Sequence, residues 1–129
     1  MSTTDEVLAA AASLVDAFGR HDTASYFAAF RPDATFCFYT HPARLGSRAE
    51  YEELWQTWEQ DGFRVLDCGS SDRHVQDLGD AAVFTHRVAT RLNLGGAEES
   101  LVERETIVFI RDGAGGWVAV HEHLSPLSG

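Results

Sequence analysis

The chain contains no lysine; all ten of its basic residues are arginines. A side-chain amine is therefore missing, and with it any protein Schiff base, so aldolase-type and pyridoxal-type chemistry is excluded. Cysteine is scarce as well. Cys37 and Cys68 form no CxxC pair and no secretory apolar segment opens the chain, which reads as reduced thiols in the cytoplasm. Positive charge is in deficit: twenty acidic residues against ten basic ones give a formal net charge of -10, which repels nucleic-acid phosphates and anionic lipid surfaces. No apolar run reaches membrane-spanning length. Glycine-rich phosphate loops, dinucleotide fingerprints and a Ser-His-Asp order are all missing, so no cofactor is expected.

What is present is a core. Of the 129 residues 44% are hydrophobic, with eight Phe, three Trp and three Tyr, which suits one globular domain over residues 1–129. Thr3 and Glu6 have capping-box spacing, and Val7, Leu8, Ala11, Leu14, Val15 and Phe18 then recur at helical spacing up to Gly19. Asp22 caps a short second helix carrying Tyr26, Phe27 and Phe30, ended by Pro32. Phe36, Phe38 and Tyr39 alternate in a strand over residues 35–40, followed by a loop with His41, Pro42 and Gly46. Ser47 and Glu50 open a third helix whose aromatic face holds Tyr51, Leu54, Trp55 and Trp58, closed by Gly62. Residues 63–76, 81–94, 101–111 and 117–125 read as four strands with short glycine-containing connections, hence antiparallel neighbours. The order is α+β, without βαβ alternation.

This order resembles the nuclear-transport-factor-2-like superfamily. Asp33-Ala34-Thr35, the run from Gly46 to Trp58 and Gly79-Asp80-Ala81-Ala82 carry the likeness. The tail from Gly116 to Ser125 is similar to the end of SnoaL-like domains and of the association domain of calmodulin-dependent kinase II. The resemblance implies a cystatin-like cone, with three helices from the N-terminal half packed in a strongly bent mixed, mostly antiparallel sheet around an internal pocket. It implies nothing so definite about chemistry, because the superfamily hosts isomerases, cyclases, dehydratases, hydrolases and assembly domains. Ketosteroid isomerase requires a carboxylate base, a tyrosine and a protonated aspartate. Matching through Asp33-Ala34-Thr35 puts Phe38, Leu14 and Ile107 at those positions, so that machinery is lost.

The same match implies that Leu14, Phe36, Phe38, Ile107 and Phe109 face the pocket, with His41, Tyr51 and Trp55 as further ligand contacts. Likeness to the kinase association domain puts Arg87 at an inward arginine. Strand parity then groups Arg87 with Thr85 and Ala89, Glu105 with Ile107, and Glu122 with Val120 and Leu124. Two readings stand for Arg87, Glu105 and Glu122: a buried ion-pair cluster, or a catalytic set in which a glutamate of raised pKa works beside an orienting arginine. On the opposite parity, His86, His121 and His123 share an outer face with Phe84, Val88, Leu92, Val108 and Trp117. Three imidazoles there have the makings of a zinc site, yet HxH is frequent in strands, and the expectation is histidines within a homodimer interface and no metal.

The favoured function is binding of a small, largely apolar organic ligand, with isomerase-, cyclase- or dehydratase-type proton transfer. The alternative is a non-catalytic binding or dimeric assembly module, with a metal enzyme on the outer face third.

Overall fold

The computed structural model describes residues 2–127, so residues 1, 128 and 129 of the expected domain lie outside it. Three helices and five strands follow in the order α1 (Thr3–Gly19), α2 (Thr23–Ala28), β1 (Phe30–Phe38), α3 (Arg48–Gln60), β2 (Arg64–Asp77), β3 (Ala81–Leu94), β4 (Ala97–Arg111) and β5 (Trp117–Pro126). The strands form one mixed sheet ordered β1-β5-β4-β3-β2. The meander from β2 to β5 is antiparallel throughout, and β1 joins β5 in parallel. This is the α+β architecture that the element order implies.

Local chemistry places the boundaries. Ser2, rather than Thr3, caps α1 by accepting from the Asp5 amide at 3.1 Å, because the capping oxygen must precede the first helical residue. Glu6 is then released from the cap and instead accepts from the Trp117 indole at 3.0 Å, tying α1 to the start of β5. Asp22 and Ser47 cap α2 and α3 as their spacing suggests. Phe30 begins β1 instead of continuing α2, pairing with Ala119. Pro32 follows inside the strand, tolerated because β1 is an edge and the register breaks between Phe30 and Thr35.

Gly19 does not stop α1; it is the last helical residue, and a Cβ there would lie 3.2 Å from the Cys68 Cβ on β2. The missing side chain lets α1 approach the sheet. His21, at φ 53°, makes the turn between α1 and α2. Its Nδ1 accepts from the Val65 amide at 2.9 Å while Nε2 bonds Glu59 at 2.7 Å, so one imidazole joins this turn to β2 and α3.

Alternation along the sheet decides which side chains meet the helices. On β3 the buried residues are Ala82, Phe84, His86, Val88, Thr90 and Leu92, and on β4 they are Glu103, Glu105, Ile107 and Phe109. Rows across the other face follow from register: Val83, Val108 and His121; Thr85, Thr106 and His123; Arg87, Arg104 and Ser125. β5 carries a bulge, since Val108 pairs with His121 but Phe109 pairs with Ala119. Val120 is the extra residue, and the inward parity switches from Ala119 to Glu122 across it.

Candidate functional site

An internal cavity of about 520 Å³ lies between the helices and the sheet. Its walls are largely apolar: Leu14 and Phe18 from α1, Phe38 from β1, Trp58 from α3, Val88 and Leu92 from β3. The exposed residues Asp61, Leu94 and Gly95 also line it and mark where it meets solvent. Glu103, Glu105 and Glu122 line it from the sheet, and Tyr26 and Tyr51 line it from α2 and α3.

The strands put these acids side by side. Glu105 pairs in register with Leu124 and Ile107 with Glu122, so the two glutamates are diagonal neighbours on one face of β4 and β5. Their carboxyl groups are near enough for each to shift the other's hold on its proton. Both are buried, and neighbouring carboxyls in a water-poor site resist ionising together. Burial pushes Glu105 up to about 7. Glu122 is held well above the usual carboxylate range, first by burial and then by the charge of Glu105. Glu103 is also raised by burial, and the Tyr39 hydroxyl donating to it at 2.6 Å opposes part of that rise.

Each acid has its own support. Opposite Glu105 on β3, His86 is 1% exposed, and its Nε2 lies 2.7 Å from Glu105 Oε1. The other ring nitrogen, Nδ1, lies 2.6 Å from the Ser70 hydroxyl. Burial, followed by the charge of Arg73, drives His86 down to about 4, so the ring is neutral. The consistent proton arrangement has the Ser70 hydroxyl donating to Nδ1 and Nε2–H donating to Glu105. On the far side, Tyr26 donates to Glu122 at 3.3 Å, and the Tyr26 and Tyr51 hydroxyls are 2.9 Å apart. Burial holds both phenols well above their ordinary value, so they remain protonated donors. Polar contacts therefore run from Ser70 through His86 to Glu105 and from Tyr51 through Tyr26 to Glu122, with the two carboxyls as neighbours between them. No described buried side-chain polar atom is left without a partner.

Of the sequence-expected contacts, Leu14, Phe38, Tyr51, Glu105, Glu122 and Leu124 line this cavity. Others do not. Arg87 is exposed on the outer face, because an inward Arg87 would turn Phe84, Val88 and Leu92 to solvent and strand a guanidinium among apolar walls. That same parity carries His86, Phe84, Val88 and Leu92 inside, correcting their expected outward placement. Val120 is displaced by the β5 bulge, which also brings Trp117 to the helical side, where its indole meets Glu6. Phe36, Ile107 and Phe109 are almost wholly buried in the packed core and reach no cavity surface. Trp55 is likewise core, its N–H donating to Thr23 at 3.1 Å. His41 lines a separate, shallower recess of about 290 Å³ beside Cys37 and His123.

Sequence reasoning missed Tyr26, Glu103, Thr90 and Cys68. Glu103 was within reach of it, since two-residue periodicity links it to Glu105; Tyr26 was not, because only the fold brings α2 over β5. Burial pushes the Cys68 thiol up to about 12, which leaves it inert as a nucleophile.

Residues 7–128 match the sequence profile of the SnoaL-like domain. The chain belongs to the SnoaL-like family. Solved structures similar to this SnoaL-like chain share its fold at low identity. The CamKII hub homology domain of Chlamydamonas reinhardtii has a TM-score of 0.78 at 24% identity, covering 99% of this chain and 100% of that one. A ketosteroid isomerase-like protein from Erwinia carotovora atroseptica has a TM-score of 0.80 at 19% identity, covering 97% and 96%. An NTF2-like protein with a cystatin-like fold from Novosphingobium aromaticivorans has a TM-score of 0.73 at 19% identity, covering 98% and 82%. No curated protein matches the sequence. Among the described residues, no helix is long and apolar enough to cross a membrane.

Proposed function

We propose that the cavity binds a small, largely apolar organic molecule and that Glu105 and Glu122 move protons on it. The adjacent, buried carboxyl pair at the wall of an apolar cavity carries this reading. Glu105, with a pKa near neutrality, is the base: its carboxylate takes a proton from a carbon or hydroxyl next to a carbonyl. Glu122, still protonated, is the acid and delivers its proton elsewhere on the ligand. The proton then on Glu105 passes to the neighbouring Glu122, restoring the starting state without an outside donor. Tyr26 and Tyr51 hold Glu122 in place, and His86 holds Glu105. The products fit isomerisation, cyclisation or dehydration. The lining arginines that would welcome an anion are missing, so the ligand is uncharged where it meets the acids.

Solvent exchange tests the reading. Cyclic ketones of cavity size incubated with the protein in deuterium oxide should gain deuterium beside the carbonyl, and Glu105→Gln should abolish the gain while the protein stays folded. Ketones that raise the melting temperature but never exchange would leave a binding protein without this chemistry.

A second reading concerns assembly. Val83, Val108, Ile110 and Val118 form a half-buried apolar patch on the outer sheet face, and a similar structure is a kinase hub domain. These support a homodimer through that face. Sedimentation equilibrium should return the dimer mass, and Val108→Arg should return the monomer. Two free cysteines, Cys37 and Cys68, suit a reducing compartment such as the cytoplasm.

A further inference from the structure

Away from the cavity, on the opposite face of the sheet, β1 and β5 bring three metal-ligating side chains together. Cys37 pairs in register with His123, and Thr35 with His121, so the parallel ladder sets Cys37 beside one imidazole and one step along from the other. One ligand atom from each of Cys37, His121 and His123 lies within 4.8 Å of the other two. We propose that Cys37, His121 and His123 bind a divalent cation of the zinc class.

The donor set fits that class. One thiolate and two imidazoles are borderline-soft ligands that favour zinc, cobalt or copper over magnesium or calcium. Around a tetrahedral zinc, neighbouring sulfur and nitrogen ligands stand roughly 3.3–3.6 Å apart. Closing from at most 4.8 Å to that spacing is a shift of roughly 1–1.5 Å, within the reach of side-chain rotation. Backbone geometry already does the rest, because i and i+2 on β5 share a face and β1 supplies the third donor from the adjacent strand.

Two further features belong to such a site. The Thr35 hydroxyl lies 2.8 Å from His121 Nδ1, fixing the ring and leaving its other nitrogen to a metal. Cys37 and His123 also line the recess that contains His41, which places a fourth coordination position toward an open, solvent-connected pocket. The half-buried Cys37 and His121 and the exposed His123 make the cluster accessible to an entering ion. The trio differs from the His86, His121 and His123 set that the sequence suggested, because His86 belongs to the inner face and Cys37 takes its place. The inference is independent of what the cavity binds.

Cobalt reports thiolate ligation directly. The untagged full-length protein, stripped with chelator and titrated with Co²⁺, should bind one equivalent and develop thiolate-to-cobalt charge-transfer absorption together with the intense visible bands of a four-coordinate ion. Stoichiometric Zn²⁺ should bleach both. Cys37→Ser should remove the charge-transfer band, and Thr35→Val, which keeps every ligand, should weaken zinc binding roughly 10–100-fold. Circular dichroism of each variant confirms that it is folded. Binding without a charge-transfer band, or binding unaltered by Cys37→Ser and by His123→Gln, is adventitious and overturns the proposal.

Discussion

His86 Nε2 and Glu105 Oε1 lie 2.7 Å apart on register-paired positions of β3 and β4, both side chains turned into the protein. Two titratable groups thus meet where water is scarce, and each is driven toward its neutral form: the imidazole down to about 4, the carboxyl up to about 7. Glu122 extends the arrangement by one more acid. Retaining three buried carboxyls in a cavity without a facing arginine costs stability when they ionise. That cost gives the protein a characteristic response to pH and to substitution.

Stability should rise as pH falls from 7.5 toward 5. Glu103, Glu105 and Glu122 have raised pKa values, so between the unfolded value of 4.5 and their folded values the native state holds protons that the unfolded chain has lost. Their stabilisation is full below 4.5 and is lost as pH rises through the folded values. His86 and His121 act oppositely, their pKa values being lowered, since the unfolded imidazoles take up protons below 6.5 while the native ones do not. Three raised acids outnumber two lowered imidazoles, and Glu122 is held well above its ordinary value. Urea midpoints measured across this range check the direction; a midpoint that falls steadily with acidification contradicts it.

Glu122→Gln should flatten that profile and raise stability at pH 8, because an amide of the same shape needs no proton to remain neutral. Comparing urea midpoints of the variant and the parent at pH 5 and pH 8 isolates the effect. The cavity should still bind its ligands in this variant, while proton transfer is lost.

Tyr26→Phe removes the donor to Glu122 and leaves Tyr51 without its hydroxyl partner. The expected loss is about 1–3 kcal/mol of folding stability, the range for orphaning a buried hydrogen-bonding group. Without the donor, Glu122 should titrate still higher, which a carboxyl-resolved NMR titration would record.

Arg87→Ala should change almost nothing. An exposed outer-face residue away from the cavity is expected to alter stability by less than about 0.5 kcal/mol and to leave ligand binding intact. A large loss of binding in this variant would mean that Arg87 reaches the cavity after all.

Much of the fold was legible in the chain because its signals are local. Caps at Asp22 and Ser47, the apolar spacing of α1 and the glycine connections between strands each specify structure within a few residues. The candidate site was only half legible. Alternation correctly pointed Glu105 and Glu122 inward, but the bulge at Val120 switches the parity of β5, and nothing in the local sequence announces it. On β3 the alternation was unambiguous, with Phe84, Val88 and Leu92 spaced for one face, and a family likeness at Arg87 outweighed it. Hydrophobic burial decides there: three large apolar side chains inside outrank one arginine. Contacts such as Tyr26 with Glu122, separated by most of the chain, arise from tertiary packing alone.

Gly19→Val should loosen the junction of α1 and β2. Even the first carbon of a side chain would stand 3.2 Å from Cys68, and the branched remainder has to displace the strand, an overpacking cost of about 1–3 kcal/mol. Thermal melts of the variant measure it.

The central claim is that Glu105 and Glu122 share a proton at neutral pH. Site-resolved carboxyl ¹³C NMR of the glutamate side chains, followed from pH 3 to pH 9, tests it most directly. The account predicts that Glu105 titrates near 7 and that Glu122 stays protonated beyond it. Titration of both carboxyls at the ordinary value near 4.5 would show two independent solvated acids and contradict the proposed chemistry.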